Sequence, residues 1–128
     1  MEKVKGIGGV FFKTPDSERL RRWYAEHLGL DTQAWGATFR WRDDDDPSRR
    51  RQTVLGLFKS DTTHFAPSTL DHMINFIVED LDAIRRQLTE SGVEVGDIYE
   101  DDNGRFCWVQ DPDGRRVELW QPAPEKTE

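Results

Sequence analysis

A chain of 128 residues and 14.9 kDa is the length of one ordinary domain, and 35% hydrophobic residues, including five Trp and seven Phe, supply enough core material to exclude a disordered chain. The formal net charge of -7 argues against nucleic acid and anionic membrane surfaces as partners. The single Cys107 excludes an internal disulfide or a cysteine-based zinc spacing and fits a reducing cytoplasm, and with no long apolar window and no leader pattern the expectation is a soluble, unexported protein.

In chain order, Gly6 to Lys13 reads as a strand, and Thr14-Pro15-Asp16-Ser17 as a turn with an acceptable helix N-cap. Leu20, Trp23, Tyr24, His27 and Leu28 recur at helical spacing from Glu18 onward, and Gly29 sits where a left-handed C-cap is wanted. Three strand candidates follow, near Asp31 to Trp35, Thr38 to Arg42 and Gln52 to Lys59. Between the last two, the acidic run Asp43 to Asp46 and the basic run Arg49 to Arg51 flank Pro47, the pattern of a solvated hairpin tip with cross-strand charge pairing.

From Met73 the plan repeats. A strand leads into an acidic turn, then into a helix with Leu81, Ile84 and Leu88 on one face that stops at Gly92. Strand candidates follow near Val93 to Tyr99, Arg105 to Gln110 and Arg116 to Gln121, the last two joined by the strong hairpin connector Asp111-Pro112-Asp113-Gly114. At an offset of 64 residues Asp16 meets Asp80, Arg21-Arg22 meets Arg85-Arg86 and Glu26 meets Glu90. The chain therefore reads as two tandem βαβββ units in a single domain spanning 1–128: unit one 6–60, a linker 61–70, unit two 71–121 and a frayed tail 122–128.

Three segments carry a family likeness: Trp23-Tyr24-Ala-Glu-His-Leu-Gly29-Leu, Asn75-Phe-Ile-Val-Glu-Asp80-Leu-Asp, and Phe106-Cys-Trp-Val-Gln-Asp111-Pro-Asp-Gly114-Arg-Arg-Val-Glu118-Leu-Trp120. Together with the repeat they resemble the vicinal-oxygen-chelate superfamily of glyoxalase, bleomycin-resistance and extradiol dioxygenase relatives. The resemblance implies an α+β fold, a cup-shaped, half-open mixed β-barrel with the helices outside, and a homodimer. It also implies four metal-ligand positions, on the first and last strand of each unit; here they fall on Gly9, Gly56, Met73 and Glu118. Only Glu118 keeps a ligand-type side chain, so no metal and no other cofactor is expected. His72 lies one residue from a ligand position and on the wrong strand face, while His64 in the linker and His27 on the helix read as surface or packing residues.

If Glu118 faces the cup, period-two alternation sends Trp120 inward with it and Val117 and Leu119 toward the helices. The same rule lines the cup with Phe11, Phe58, Met73 and Asn75, and the resemblance adds Phe106 and Trp108; Trp41, or the flanking Arg40 and Arg42, is a candidate for one rim. Two readings stand: a small-molecule pocket with few polar groups, or aromatics that pack as a second core. For function, the resemblance to bleomycin-resistance proteins implies a metal-free binder of a cationic aromatic compound. The alternative is a superfamily enzyme, a lyase, isomerase or dioxygenase acting on a small oxygenated metabolite, with Glu118 as acid or base and Asn75 or Arg105 holding an oxyanion.

Overall fold

The structure, a computed structural model, describes residues 1–124. Its elements run β1 (Gly6–Thr14), α1 (Ser17–Leu28), β2 (Thr32–Gln33), β3 (Gly36–Arg42), β4 (Arg50–Lys59), β5 (His72–Ile77), α2 (Leu81–Glu90), β6 (Tyr99–Asp101), β7 (Gly104–Gln110) and β8 (Arg116–Pro122). All eight strands join one mixed sheet in the order β2-β3-β4-β1-β5-β8-β7-β6. The sheet does not close: β2 and β6 remain as its edges, which gives the half-open barrel of the α+β class expected from the repeat.

Register makes the repeat exact in space. β1 and β5 pair antiparallel at the centre, with Gly9 opposite Asn75 and Phe11 opposite Met73. The offset of 64 carries Gly9 onto Met73 and Phe11 onto Asn75, so each pair maps onto the other by a two-fold rotation between the strands. The last strands obey the same relation, because Phe11 pairs with Gly56 and its counterpart Asn75 pairs with Glu118. Both helices begin alike, Asp16 accepting from the Arg19 N–H at 3.0 Å and Asp80 from the Ala83 N–H at 3.1 Å.

The faces of the second unit follow strand alternation. Leu119 and Cys107 are buried with Val78, Leu81 and Ile84, and Val117 packs at their edge, so this face belongs to α2. The opposite face carries a second cluster of Phe11, Phe65 and Met73, flanked by Val54, Phe58 and Trp108. Unlike α2, α1 contributes no buried side chain.

Two strands differ from their sequence expectation: β2 is shorter than Asp31 to Trp35, and β6 begins only where the expected Val93 to Tyr99 strand ends. Val95 and Ile98 both pack against the α2 cluster. Residues three apart point to opposite faces of a strand, so this segment stays irregular and pairing begins only at Tyr99. In the first unit, β2 stops at Gln33, before the tight passage at Gly36. There φ is 139° and a side chain would strike the Leu55 carbonyl. The charged hairpin is organised as expected. Asp43 caps the turn by accepting from the N–H groups of Asp45 and Asp46, and it binds the buried Arg51 guanidinium at 2.9 Å.

The linker is packed onto the sheet. Residues 60–71 form a strap laid across the inner face of the sheet, with Phe65 fully buried and turns closed by hydrogen bonds from the Ala66 N–H to Thr63 O and from the Ser68 N–H to Phe65 O.

Candidate functional site

Glu118 is the polar centre of the inner face, with only 4% of its surface exposed. It lies on β8 beside Asn75 of β5 and opposite Trp108 of β7, so three strands deliver neighbouring side chains to one point. Asn75 Nδ2 donates to Oε1 at 2.7 Å, and Trp108 Nε1 donates to Oε2 at 2.8 Å. The strap supplies the third partner, His64 Nε2, 3.0 Å from Oε2. A carboxylate accepts only, so His64 meets it with a protonated Nε2, as that tautomer or as imidazolium. Burial of the charge is thereby offset by three convergent donors.

Arg116 completes the floor. Its guanidinium lies 4.7 Å above the Trp108 ring and donates to the His64 carbonyl. Burial holds its pKa below the ordinary arginine value, with the charge of Glu118 opposing that shift. Each carboxylate oxygen thus already accepts an N–H bond, and the positive charge of Arg116 stands nearby.

Aromatic rings continue outward from this floor. Trp120, nearly buried, stacks parallel to Phe106 with centroids 6.0 Å apart, and Phe106 stacks on toward Trp108 at 6.4 Å. Tyr99, more than half exposed, leans on both Phe106 and Trp108. On the other side, Phe11, Met73 and Phe58 close around Phe65 of the strap, with the Lys13 ammonium over the Phe65 ring. Both readings of the aromatic face therefore hold in part: the unit-one half is filled as a core, while the Tyr99, Phe106 and Trp108 wall stays partly open.

Of the residues expected to line the cup, Phe11, Phe58, Met73, Asn75, Phe106, Trp108 and Trp120 share the inner face with Glu118. Trp41 is not brought there. It donates Nε1 to Thr53 Oγ1 at 2.9 Å and its ring covers Gly6, at the far end of β4 from Phe58. Arg105 is likewise removed from any oxyanion role, because its guanidinium is clasped by Asp82 of α2 at 2.9 and 3.1 Å. His64, Arg116 and Tyr99 were missed. Alternation from Glu118 places Arg116 inward and is a usable signal, whereas the pairing of Tyr99 with Phe106 is seen only in the structure. Nothing in the periodicity of the linker marks His64.

The residues do not fit a superfamily metal centre. Gly9, Gly56 and Met73 offer no hard ligand, and both Glu118 oxygens already accept N–H bonds. Among the described residues no group of three or more His, Cys, Asp or Glu side chains could hold an ion.

A half-open sheet of two βαβββ units related by a central two-fold, with a polar residue on the last strand facing its concavity, defines the vicinal-oxygen-chelate class. Within it the chain belongs to the glyoxalase-like domain family, whose model matches residues 9–120. Similar solved structures include methylmalonyl-CoA epimerase from Mycobacterium tuberculosis, with TM-score 0.62 and 24% identity over 94% of this chain and 90% of that one. A Streptomyces coelicolor methylmalonyl-CoA epimerase in complex with 2-nitronate-propionyl-CoA gives 0.74 and 18% over 98% and 100%. A catechol 2,3-dioxygenase gives 0.58 and 18% over 92% of this chain and 41% of its own. At these identities the likeness is one of fold. No curated protein matches the sequence.

Proposed function

We propose that this chain binds a small planar organic molecule, neutral or anionic, against the wall formed by Tyr99, Phe106 and Trp108, without a metal ion. The observation that carries the reading is the Glu118 centre. A buried carboxylate held by Asn75, Trp108 and His64 and flanked by Arg116 is a fixed polar floor under partly exposed aromatic rings, the makeup of an organic-ligand site. A thermal-shift screen of planar compounds in excess chelator tests it: stabilisation by a compound that also changes Trp fluorescence, and that is lost in Trp108→Ala, is expected. Stabilisation only by divalent cations contradicts the reading.

One observation favours catalysis as a second reading. Glu118 is placed to orient His64, whose side chain is 37% exposed and so within reach of a substrate. On this reading His64 is the acid or base and Glu118 its positioning residue, with turnover lost in both His64→Ala and Glu118→Gln.

The superfamily pattern and the thin cover of α1 also favour a homodimer, since Trp23, Leu28, Trp35 and Phe39 are all substantially exposed. Light scattering of the purified chain distinguishes one copy from two.

A further inference from the structure

The residue that closes the Glu118 centre is not part of the barrel. His64 comes from the strap, and it sits there as a flat ring in a slot. Its imidazole is parallel to the Phe58 ring, with 5° between planes and 5.3 Å between centroids. The Trp108 ring meets it edge-on at 90° and 6.2 Å. Its Nε2 points at Glu118 Oε2 from 3.0 Å. The slot thus presents an aromatic face, an aromatic wall and a buried acceptor, which together select a planar ring carrying an N–H at its edge.

Exposure divides the strap into an anchor and a movable part. Phe65 is 0% exposed and locked among Phe11, Met73 and Phe58, whereas the adjoining His64 side chain is 37% exposed. A rotation of the His64 side chain alone would vacate the slot and leave Phe65, and with it the strap, in place. Trp108 Nε1 and Asn75 Nδ2 would continue to hold the carboxylate ready.

We infer that His64 is an internal stand-in for the ligand: the slot between Phe58 and Trp108 binds an N–H-bearing heteroaromatic ring, which donates to Glu118 in the place His64 Nε2 holds in the empty protein. The inference rests on the cup being a binding site and adds the ligand class and the group it displaces. Because an occupied slot lowers apparent affinity by the fraction of time it stands open, His64 tunes affinity as well as specificity.

The test uses benzimidazole and benzoxazole, nearly equal in shape but with the ring N–H of the first replaced by oxygen in the second, titrated into the full chain and into His64→Ala by Trp fluorescence. His64→Ala should bind benzimidazole about ten-fold more tightly than the unmodified chain. It should also bind benzoxazole about ten-fold more weakly than benzimidazole. Equal affinity of the two proteins, or of the two compounds, overturns the inference, as does absence of binding by His64→Ala. Nitrogen-15 NMR of the unmodified chain provides a check independent of any substitution: at saturation the His64 Nε2 resonance should leave its carboxylate-bound position. A planar compound that perturbs Trp108 while His64 stays on Glu118 would keep the cup as a binding site and overturn the displacement.

Discussion

Replacing Glu118 by Leu removes the only acceptor that Asn75 Nδ2 and Trp108 Nε1 share. Asn75 is 2% exposed, so water cannot take over, and a buried donor left without a partner costs about 1–3 kcal/mol. Trp108 is only half-buried, so Asn75 sets most of the loss, about 1–3 kcal/mol or a fall of about 0.5–1.5 M in urea midpoint. Glu118→Gln behaves differently. It keeps one oxygen for Trp108, and Asn75 can rotate its amide so that Oδ1, which has no partner among the described residues, accepts from the new Nε2. What remains is the exchange of charge-assisted bonds for neutral ones, with Asn75 Nδ2 taking over the unpartnered position that Oδ1 held, about 1 kcal/mol. Urea titration followed by far-UV circular dichroism, which does not depend on Trp108, compares the two variants. Equal destabilisation by Leu and Gln, or a neutral Leu variant, would refute the description of Glu118 as the shared acceptor.

Other consequences are local. A side chain at Gly8 would lie 2.8 Å from both Ile77 and Trp120 and would also strike Asn75, so Gly8→Ala should cost about 1–3 kcal/mol in the same titration. Loss of either helix cap, Asp16→Ala or Asp80→Ala, should cost about 1 kcal/mol, measured as a lower thermal midpoint. Burial pushes the Cys107 thiol up to about 11, so a thiol reagent at neutral pH should modify it only as fast as the protein unfolds. The Arg51 guanidinium, with further help from backbone N–H groups, holds the Asp43 carboxyl below its ordinary value of 3.8. Its contribution to stability is present above that value and lost as pH falls through the lower folded-state value. Asp43→Asn should therefore lower the urea midpoint near neutral pH and make a progressively smaller difference in acid.

Much of this was legible in the sequence because it depends on period. The offset joining Asp16 to Asp80 is the two-fold between β1 and β5, and alternation from Glu118 correctly divides Trp120 from Leu119. The irregular passage from Val93 to Ile98 defeated the rule because burial against α2 there follows a spacing of three. His64 was illegible for a different reason. It reaches Glu118 across 54 positions through a strap without regular structure, placed by the burial of Phe65 beside it. Trp41 shows the converse: an aromatic residue on a strand of the first unit, it is used to cover Gly6.

The proposed function requires that the Glu118 and Trp108 cup bind an organic ring without metal. The most direct test is a titration of the unmodified chain and Trp108→Ala with the strongest compound from a planar-ligand screen, in excess chelator, read as a shift in thermal midpoint. At about one hundred times the dissociation constant, about 2.7 kcal/mol of stabilisation, several degrees, is expected in the unmodified chain and little in the variant. A shift that requires divalent metal, or one that Trp108→Ala retains in full, would contradict it.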